Sequence, residues 1–480
     1  MDYNKLGLKA GLEIHQQLDT GKLFCKCPGF LRSDEPHFQV MRKLHAVAGE
    51  GGEVDTAVAH EAFLGRTFYY QGYKDTTCLI EIDEEPPKLI NEQALDEALK
   101  VALLLNCEIY PVSQIMRKTV IDGSNTSGFQ RTVLLAHDGY IETSFGKIGV
   151  ATLCLEEDAA RIVKRDEESA VYRLDRLGIP LIEIATKPEL DTPEKIKECA
   201  LKIGEVLRAC KVKRGIGTIR QDLNISIKGH ERVEIKGFQE PRIMIDTVKK
   251  EIERQQEDLK KGKKNGEVRN SKEDGSTEFL RPMPGGARMY PETDLPLLKI
   301  SRERINELKK KLPKLRYEIK EELKKKGLNE EMVNLILNGN LDEFEALIGI
   351  YDKDANLIAK MIVLWRNEFA SKLKKSLEEV KEALSERVME EVLTALVKGN
   401  ISEGDVKGIL WKVVSGMNAS EALKVEKVDD NKLEEEIRKI VSEKPGLRAN
   451  AYMGLVIARL GKDVDKRKAM EILNKVTGQN

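Results

Sequence analysis

No stretch of the 480-residue chain approaches the roughly 20 apolar residues that a membrane-spanning helix needs, and the N-terminus lacks the basic-then-apolar layout of a secretion signal. The expectation is a soluble, cytoplasmic protein without a membrane partner. Neither sign of charge is in excess: 80 Lys and Arg against 81 Asp and Glu leave −1, so any nucleic-acid surface has to be local. Aromatics are scarce at 5% while charged residues reach 34%, a balance that suits a heat-adapted protein relying on Lys/Glu ion pairs. The seven cysteines are odd in number and scattered, which argues against a disulfide framework. No Walker A motif and no kinase-type glycine-rich loop is present. Nor is there a Ser-Ser-Lys or Thr-Lys nucleophile arrangement or a His-paired cysteine, so the chain alone should not hydrolyse glutamine or asparagine.

The length suggests two to four domains, and the pattern changes near residue 300. Before it, short apolar runs alternate with Gly, Pro and Asp, and GLKAGLEI, TLCLEED, GIPLIEIA, TIRQDLNISI and RVEIKGF read as strands. Helices are expected over Asn91–Leu105 and Thr192–Ala209, the second opened by Thr192 and Pro193. Glu257–Asp274 holds little that is apolar beyond Leu259 and Val268 and reads as an exposed linker. Beyond 300 the pattern is helical, with Leu373, Leu377, Val380, Leu384, Val388, Val392 and Leu396 on one stripe of a long amphipathic helix. The fold class is therefore α+β: a mixed-sheet domain over 1–298, an all-α helical domain over 299–402 and a small all-α tail over 403–480.

In a strand of period two, Leu8, Ala10, Leu12 and Ile14 face a core while Glu13 and His15 project together from the other side, about 7 Å apart. Glu156, Glu157 and Asp158 follow Leu153 and Leu155 at a strand end, Glu183 interrupts the apolar run IPLIEIA, and Asp222 lies on a hydrogen-bonding face with Arg220, Asn224 and Ser226. An isolated carboxylate among Leu181, Ile182 and Ile184 needs a partner if buried. Four strands thus offer acids or His, and such oxygen-rich sets suit Mg²⁺ with a nucleotide; a solvated polar face remains the alternative from residue types alone. Arg117–Arg131 combines Arg117, Lys118 and Arg131 with Gly123, Ser124, Asn125, Ser127 and Gly128, a composition that serves either a phosphate cradle or an ordinary turn. Cys25 and Cys27 form a Cys-x-Cys pair, but no second pair follows at zinc-site spacing and only His37 and His45 are at hand, so zinc is not expected.

Taken in order, GLEIHQQL, KLFCKCP, RKTVIDGSNTSGFQRT, LEEDAAR, DRLGIPLIEIATKPEL, RQDLNISI and VEIKGFQEPR resemble the successive motifs of the B/E family of glutamyl-tRNA(Gln) amidotransferase subunits. YYQGYKDTTCLIEIDEEPP and RPMPGGARMYPETDLP are similar to the archaeal E-type members in particular, and the C-terminal stretch resembles the family's YqeY-like, tRNA-binding tail. The resemblance implies a cradle domain that phosphorylates the glutamyl γ-carboxylate of misacylated Glu-tRNA(Gln) with ATP and Mg²⁺, then replaces the phosphate with ammonia from a partner. It implies Mg²⁺ held by Glu13, His15, Glu157 and Glu183 with Glu156 and Asp222 close by, phosphate contacts from Lys118 and Arg117, and supporting roles for Ser124, Ser127 and Arg220. E-type wording implies an asparaginase-like amidotransferase subunit as ammonia source, ahead of the amidase-type one that serves B-type members. The chain departs from the family twice. It lacks the second cysteine pair that completes the zinc site of B-type members, and it lacks the aspartyl-tRNA-synthetase-like insertion of E-type members. A non-catalytic tRNA-binding adaptor and a phosphotransferase acting on small molecules are the competing readings.

Overall fold

The protein is described from a computed structural model covering residues 1–45, 52, 54, 59, 62–63, 65–215, 217–238, 240–283, 289–424, 430–460 and 466–477. Two compact units divide at Leu315 and Arg316. The first unit is built on a mixed sheet of eleven strands. Ten lie on one path: Thr277–Pro282 (β13), Glu267–Ser271 (β12), Val233–Lys236 (β11), Ile219–Ser226 (β10), Lys9–Gln17 (β1), Pro180–Thr186 (β9), Gly146–Glu157 (β6), Phe129–Thr143 (β5), Ile115–Thr119 (β4) and Met289–Pro291 (β14). The short strand Glu108–Ile109 adds to β5. Among the described residues of this sheet, only β11 and β12 pair in parallel. A smaller sheet runs in the order Phe38–Arg42 (β2), Thr67–Gly72 (β3), Ser169–Arg173 (β8), Arg161–Arg165 (β7).

One face of the large sheet is apolar because alternate residues are apolar: Leu12 and Ile14 of β1, Ile182 and Ile184 of β9, Leu153 and Leu155 of β6, Leu223 and Ile225 of β10 are all buried in one core. Glu92–Leu104 (α1) and Pro193–Ala209 (α2) cover that face. Asn91 caps α1 by accepting from Gln93 and Ala94, and Thr192 caps α2 with Pro193 in its first turn. Ala94, Leu95, Ala98 and Leu99 of α1 and Ile196, Cys199, Ile203 and Leu207 of α2 enter the core, each large side chain contributing about 1.5–3 kcal/mol. The opposite face of the sheet carries the polar partners of these residues.

Three boundaries differ from the sequence expectation. Arg302–Lys310 stays with the first unit, since Leu308 joins its core and Arg304 pairs with Glu92 and Asp96 of α1; the division therefore falls after residue 315 and not after 298. The supposed linker 257–274 is largely ordered: Met244–Lys260 (α3) runs into it, and β12 takes its place between β11 and β13 with Val268 fully buried. Its polar residues are consumed by ion pairs, Arg269 with Glu267 and Glu251 among them. Finally, Glu403–Val414 packs in the core of the helical segment, through Val406, Ile409 and Leu410, so the tail's own core begins only at Leu433 and runs to Leu473.

The second unit is helical throughout its described residues. The stripe from Leu373 to Leu396 is three helices, Arg366–Leu373, Leu377–Ala383 and Glu386–Val397. Lys374 ends the first in a left-handed turn, and Ser376, in a capping box with Glu379, starts the second.

Candidate active site

Register brings the acids together. Glu13 of β1 lies opposite Asp222 of β10, and His15 lies opposite both Glu183 of β9 and Arg220 of β10. All project from the face away from the core. His15 Nε2 is 3.6 Å from Glu13 Oε1 and 3.4 Å from Glu183 Oε2, and one ligand atom from each of the three lies within 4.8 Å of the others. From β6, Glu156 joins on the same face, and Lys118 reaches across from β4 to stand 2.8 Å from Glu156 Oε2 and 3.6 Å from Glu183 Oε2. At the other end of the row, Lys236 of β11 bonds Asp222 Oδ2 at 2.9 Å and Glu234 Oε1 at 2.7 Å. Lys236 and Glu234 escaped the sequence reading although their strand motif VEIKGF was visible. Arg220 donates to the buried Asp158 at 2.8 Å, which also receives Gln17.

The row is electrostatically divided. Burial pushes the Glu156 carboxyl up to about 8, opposed by Lys118 and reinforced by Glu183. Burial would also raise Glu183, but hydrogen bonds from Glu156 and His15 and the charge of Lys118 hold it well below the usual carboxylate range. Glu13 is raised by burial and by Glu183. Burial disfavours the charged His15 ring, yet its hydrogen bond to Glu183 and the surrounding carboxylates carry it above its ordinary value. No donor reaches Glu156 Oε1, although the residue is fully buried. Glu13, His15 and Glu183, with ligand atoms within 4.8 Å of one another and the buried Glu156 beside them, fit a hard divalent cation.

Two of the residues expected here are elsewhere. Glu157 does not join the acids but turns to the opposite side of β6, where its carboxylate lies 3.4 Å from Arg131 Nη1. The cause is strand alternation: Cys154 and Glu156 share one face, while Leu153, Leu155 and Glu157 share the other. Arg117 is likewise on the Ile115 side of β4, away from Lys118, and pairs with Glu292 at 2.5 Å while lying over the Phe129 ring. Glu292 is completely buried, joins Arg117 to Arg131 (2.8 Å) and was not visible in the sequence, since only the fold brings β14 beside β4.

Ser124 and Ser127 sit in the turn between β4 and β5 and are used locally: Ser124 Oγ donates to Asp122, Ser127 Oγ to the Phe129 carbonyl. The turn is pinned by Tyr70 and Tyr172, which donate to the carbonyls of Gly123 and Asp122. It borders a small polar cavity of about 20 Å³ on the Glu157 side, lined by Lys22, Glu81, Asn125, Arg131 and Glu157 among others.

Beside that cavity the fold assembles what cysteine spacing did not announce. Cys25, Cys27, Cys78 and Glu81 each offer a ligand atom within 4.8 Å of the rest. The expectation that Cys25 and Cys27 lacked partners fails because Cys78 and Glu81, three residues apart, come from a distant turn. His37 instead accepts from the Lys74 amide. Glu81 also meets the fully buried Lys22 at 3.2 Å. Hydrogen bonds from Cys25 and Cys27 draw the Cys78 thiol down, whereas the Cys25 and Cys27 thiols are themselves raised; three sulfurs and a carboxylate form a donor set suited to a thiophilic ion.

The GatB/GatE catalytic domain, as a family, matches residues 8–306. The chain is similar to proteins named as the E-type subunits of glutamyl-tRNA(Gln) amidotransferase: 36% identical to that of Methanocaldococcus jannaschii, with 99% of each chain covered. It is 33% identical to that of Methanococcus maripaludis strain C7, over 99% of this chain and 98% of the relative. With Pyrobaculum neutrophilum the identity is 34% over 88% of this chain and 91% of the relative. The first alignment runs over 634 positions against a chain of 480 residues, so at least 154 positions (634 less 480) of that relative face a gap here. That deficit has the size of a small domain.

Proposed function

The chain belongs to the GatB/GatE family and is a tRNA-dependent amidotransferase subunit of the E type; from that premise we propose that it phosphorylates the glutamyl γ-carboxylate of misacylated Glu-tRNA(Gln) with ATP and amidates it with ammonia from a partner protein. The observation that carries this reading is the acid row on the sheet, where Glu13, His15 and Glu183 converge beside Lys118. A carboxylate is a poor acyl electrophile until a good leaving group replaces its oxygen. The substrate's γ-carboxylate oxygen attacks the terminal phosphorus of ATP, a P–O bond forms, and the bond to the bridging oxygen breaks to release ADP. Ammonia then attacks the acyl carbon, and phosphate departs with the proton that nitrogen loses.

Glu13, His15 and Glu183 would hold Mg²⁺, with the buried Glu156 beside them; when bound, the ion would supply charge neutralisation to the nucleotide's phosphates. The ammonium of Lys118 is placed to meet the charge that develops on the transferred phosphoryl oxygens. The carboxylates around His15 favour its charged form in the metal-free site, and a bound ion would compete with that proton for the ring nitrogen. The burial of Glu156 makes the floor of the site dry, which favours ammonia over water at the acyl phosphate. Arg117 and Glu157, on the other face, have no direct part in phosphoryl transfer.

Cys25, Cys27, Cys78 and Glu81 would hold a zinc ion with a structural role, tying the segment around Cys25 to the turn at Cys78. An asparaginase-like amidotransferase subunit is the ammonia source this reading favours, and the helical tail is assigned to grip the tRNA. Any contact that relatives make through the 154 or more positions unmatched here is not carried over (634 less 480).

The test supplies Glu-tRNA(Gln), ATP, Mg²⁺ and free ammonium to the full chain and measures Gln-tRNA, with hydroxylamine in a parallel reaction to trap the activated glutamyl group as its hydroxamate. Both products are expected. A folded chain yielding neither, alone or with its asparaginase-like partner, overturns the proposal, and turnover without tRNA would favour a small-molecule phosphotransferase.

A further inference from the structure

Past the acids, where β1 ends, the sheet carries a second polar cluster of opposite sign. Gln17, two residues and about 7 Å beyond His15 along β1, turns to the same face and donates to Asp158. Three arginines from three separate segments meet there. Arg220 of β10, opposite His15 in the register, donates to Asp158 Oδ1 at 2.8 Å. Arg176, in the loop before β9, holds its Nε 3.8 Å from Asp158 Oδ2 and donates to the carbonyls of Ala159 and Ala160 at 2.8 and 2.9 Å. Arg161 of β7 donates to Asp175 Oδ2 at 2.6 Å, and Asp175 also accepts from the Arg176 amide. The carboxylates form the floor, with the side chains of Asp158 and Asp175 1% and 0% exposed, whereas those of Arg220, Arg176 and Arg161 are 34%, 23% and 32% exposed.

Three guanidiniums against two carboxylates leave one positive charge unmatched. Neighbouring Arg32 does not add to it, being paired with Asp34 and Asp75. Burial lowers the Arg176 guanidinium from its ordinary value, and the charges of Arg220 and Arg161 lower it further against the pull of Asp158 and Asp175. Donors are also left over. Among the described residues Arg220 uses only Nη2 and Arg176 only Nε and Nη2, so Arg220 Nε and Nη1 and Arg176 Nη1 are open to a ligand. Crowded, partly exposed guanidiniums with unused N–H groups, fixed from below by buried acids, suit the oxygens of a phosphate.

We propose that Arg220 and Arg176, with the charge of Arg161 behind them, bind the phosphodiester that precedes the aminoacylated nucleoside of the tRNA and so set the glutamyl group over the acids. The inference rests on the tRNA substrate of the proposed function and adds to it the group that is gripped and the residues that grip it. Charge selects among phosphates. A phosphodiester carries one negative charge and matches the single unmatched guanidinium, whereas a nucleotide's phosphates carry several and call for a divalent ion, which the arginines would repel. Reach agrees with charge. The γ-carboxylate and this phosphodiester are separated by the glutamyl chain and one ribose, which can bridge the roughly 7 Å of strand between His15 and Gln17.

The experiment compares Glu-tRNA(Gln) with a substrate in which that one phosphodiester is a methylphosphonate, neutral and nearly the same in shape. Filter binding to the full chain gives Kd, and the hydroxylamine trap gives KM and kcat. For the wild-type chain the neutral linkage is expected to raise Kd and KM about tenfold or more with little change in kcat, the scale of one charge-assisted hydrogen bond. Arg220→Gln and Arg176→Gln, checked for folding by thermal melting, are expected to raise Kd and KM for the ordinary substrate similarly and to show no further loss with the neutral one. Their KM for ATP is expected to stay unchanged. A wild-type chain that treats both linkages alike, or folded variants that lose a further tenfold with the neutral linkage, overturns the proposal. A raised KM for ATP without sensitivity to the linkage would assign the arginines to the nucleotide and overturn it as well. No hydroxamate from the wild-type chain and ordinary tRNA would instead overturn the phosphorylation step beneath it, while the ratio of Kd values still decides the phosphodiester site.

Discussion

Glu156 and Glu157 are adjacent on β6 and stand on opposite sides of it, one bonded to Lys118 among the acids, the other lying against Arg131 beside a small polar cavity. Neighbouring carboxylates thus serve separate environments, and substitution should separate them.

Glu183→Gln is expected to reduce trapping of the activated glutamyl group by about a hundredfold or more, the scale of losing one electrostatic contact to a transferring group, while tRNA binding is retained. Glu157→Gln is expected to leave Mg²⁺-displaceable Mn²⁺ binding unchanged, because its carboxylate is not in the row. Hydroxamate formation and Mn²⁺ titration on the two variants check both statements. Equal loss of Mn²⁺ binding in both would refute the two-sided arrangement.

The pH dependence of stability has a definite sign at Glu156. Its carboxyl titrates near 8 in the fold against an ordinary 4.5, so between these values the folded state binds more protons than the unfolded one. The stabilisation is complete below the ordinary value and is lost as pH rises through the folded one. Glu156→Gln imitates the protonated acid and should flatten that part of the profile. In metal-free protein, its melting temperature is expected to match wild type near pH 5 and exceed it near pH 8.5.

Elemental analysis of protein purified without chelator is expected to find about one zinc per chain, and Cys78→Ser should lose it. Removal by a strong chelator should lower the melting temperature, because the cluster joins segments about 50 residues apart. A chain that carries no thiophilic ion and takes up none on addition would remove the assignment.

Gly123→Ala should destabilise the first unit by about 1–3 kcal/mol. The backbone there has φ +90°, and an added Cβ would lie 2.2 Å from the Phe68 ring, so the turn carrying Ser124 would have to shift. Urea unfolding followed by circular dichroism measures the loss. An unchanged midpoint would mean that the turn adapts freely.

Much of this was readable before the fold. Alternation along β1, β9 and β10 placed Glu13, His15, Glu183 and Asp222 on the face away from the core, and the caps at Asn91 and Thr192 located both helices. Alternation also separates Glu156 from Glu157 and Lys118 from Arg117, but motif likeness groups each pair together and conceals the difference. Other features had no local signal. Cys78 and Glu81 meet Cys25 and Cys27 only through tertiary packing, and Glu292 reaches Arg117 and Arg131 from a remote part of the chain. β12 reads as a linker because its polar side chains form ion pairs, while only Val268 is fully buried.

The opposed carboxylates of β6 bear on folding as well as on chemistry. A slip of one residue would turn every side chain of this strand to the other face. Glu157 would then enter the acid row, Glu156 would lose Lys118, and Leu153 and Leu155 would leave the core. The misregistered state is therefore penalised at three places at once. The strand's pairing with β5 and β9 is held from both sides, so the central sheet is kept in alignment by residues on both of its faces.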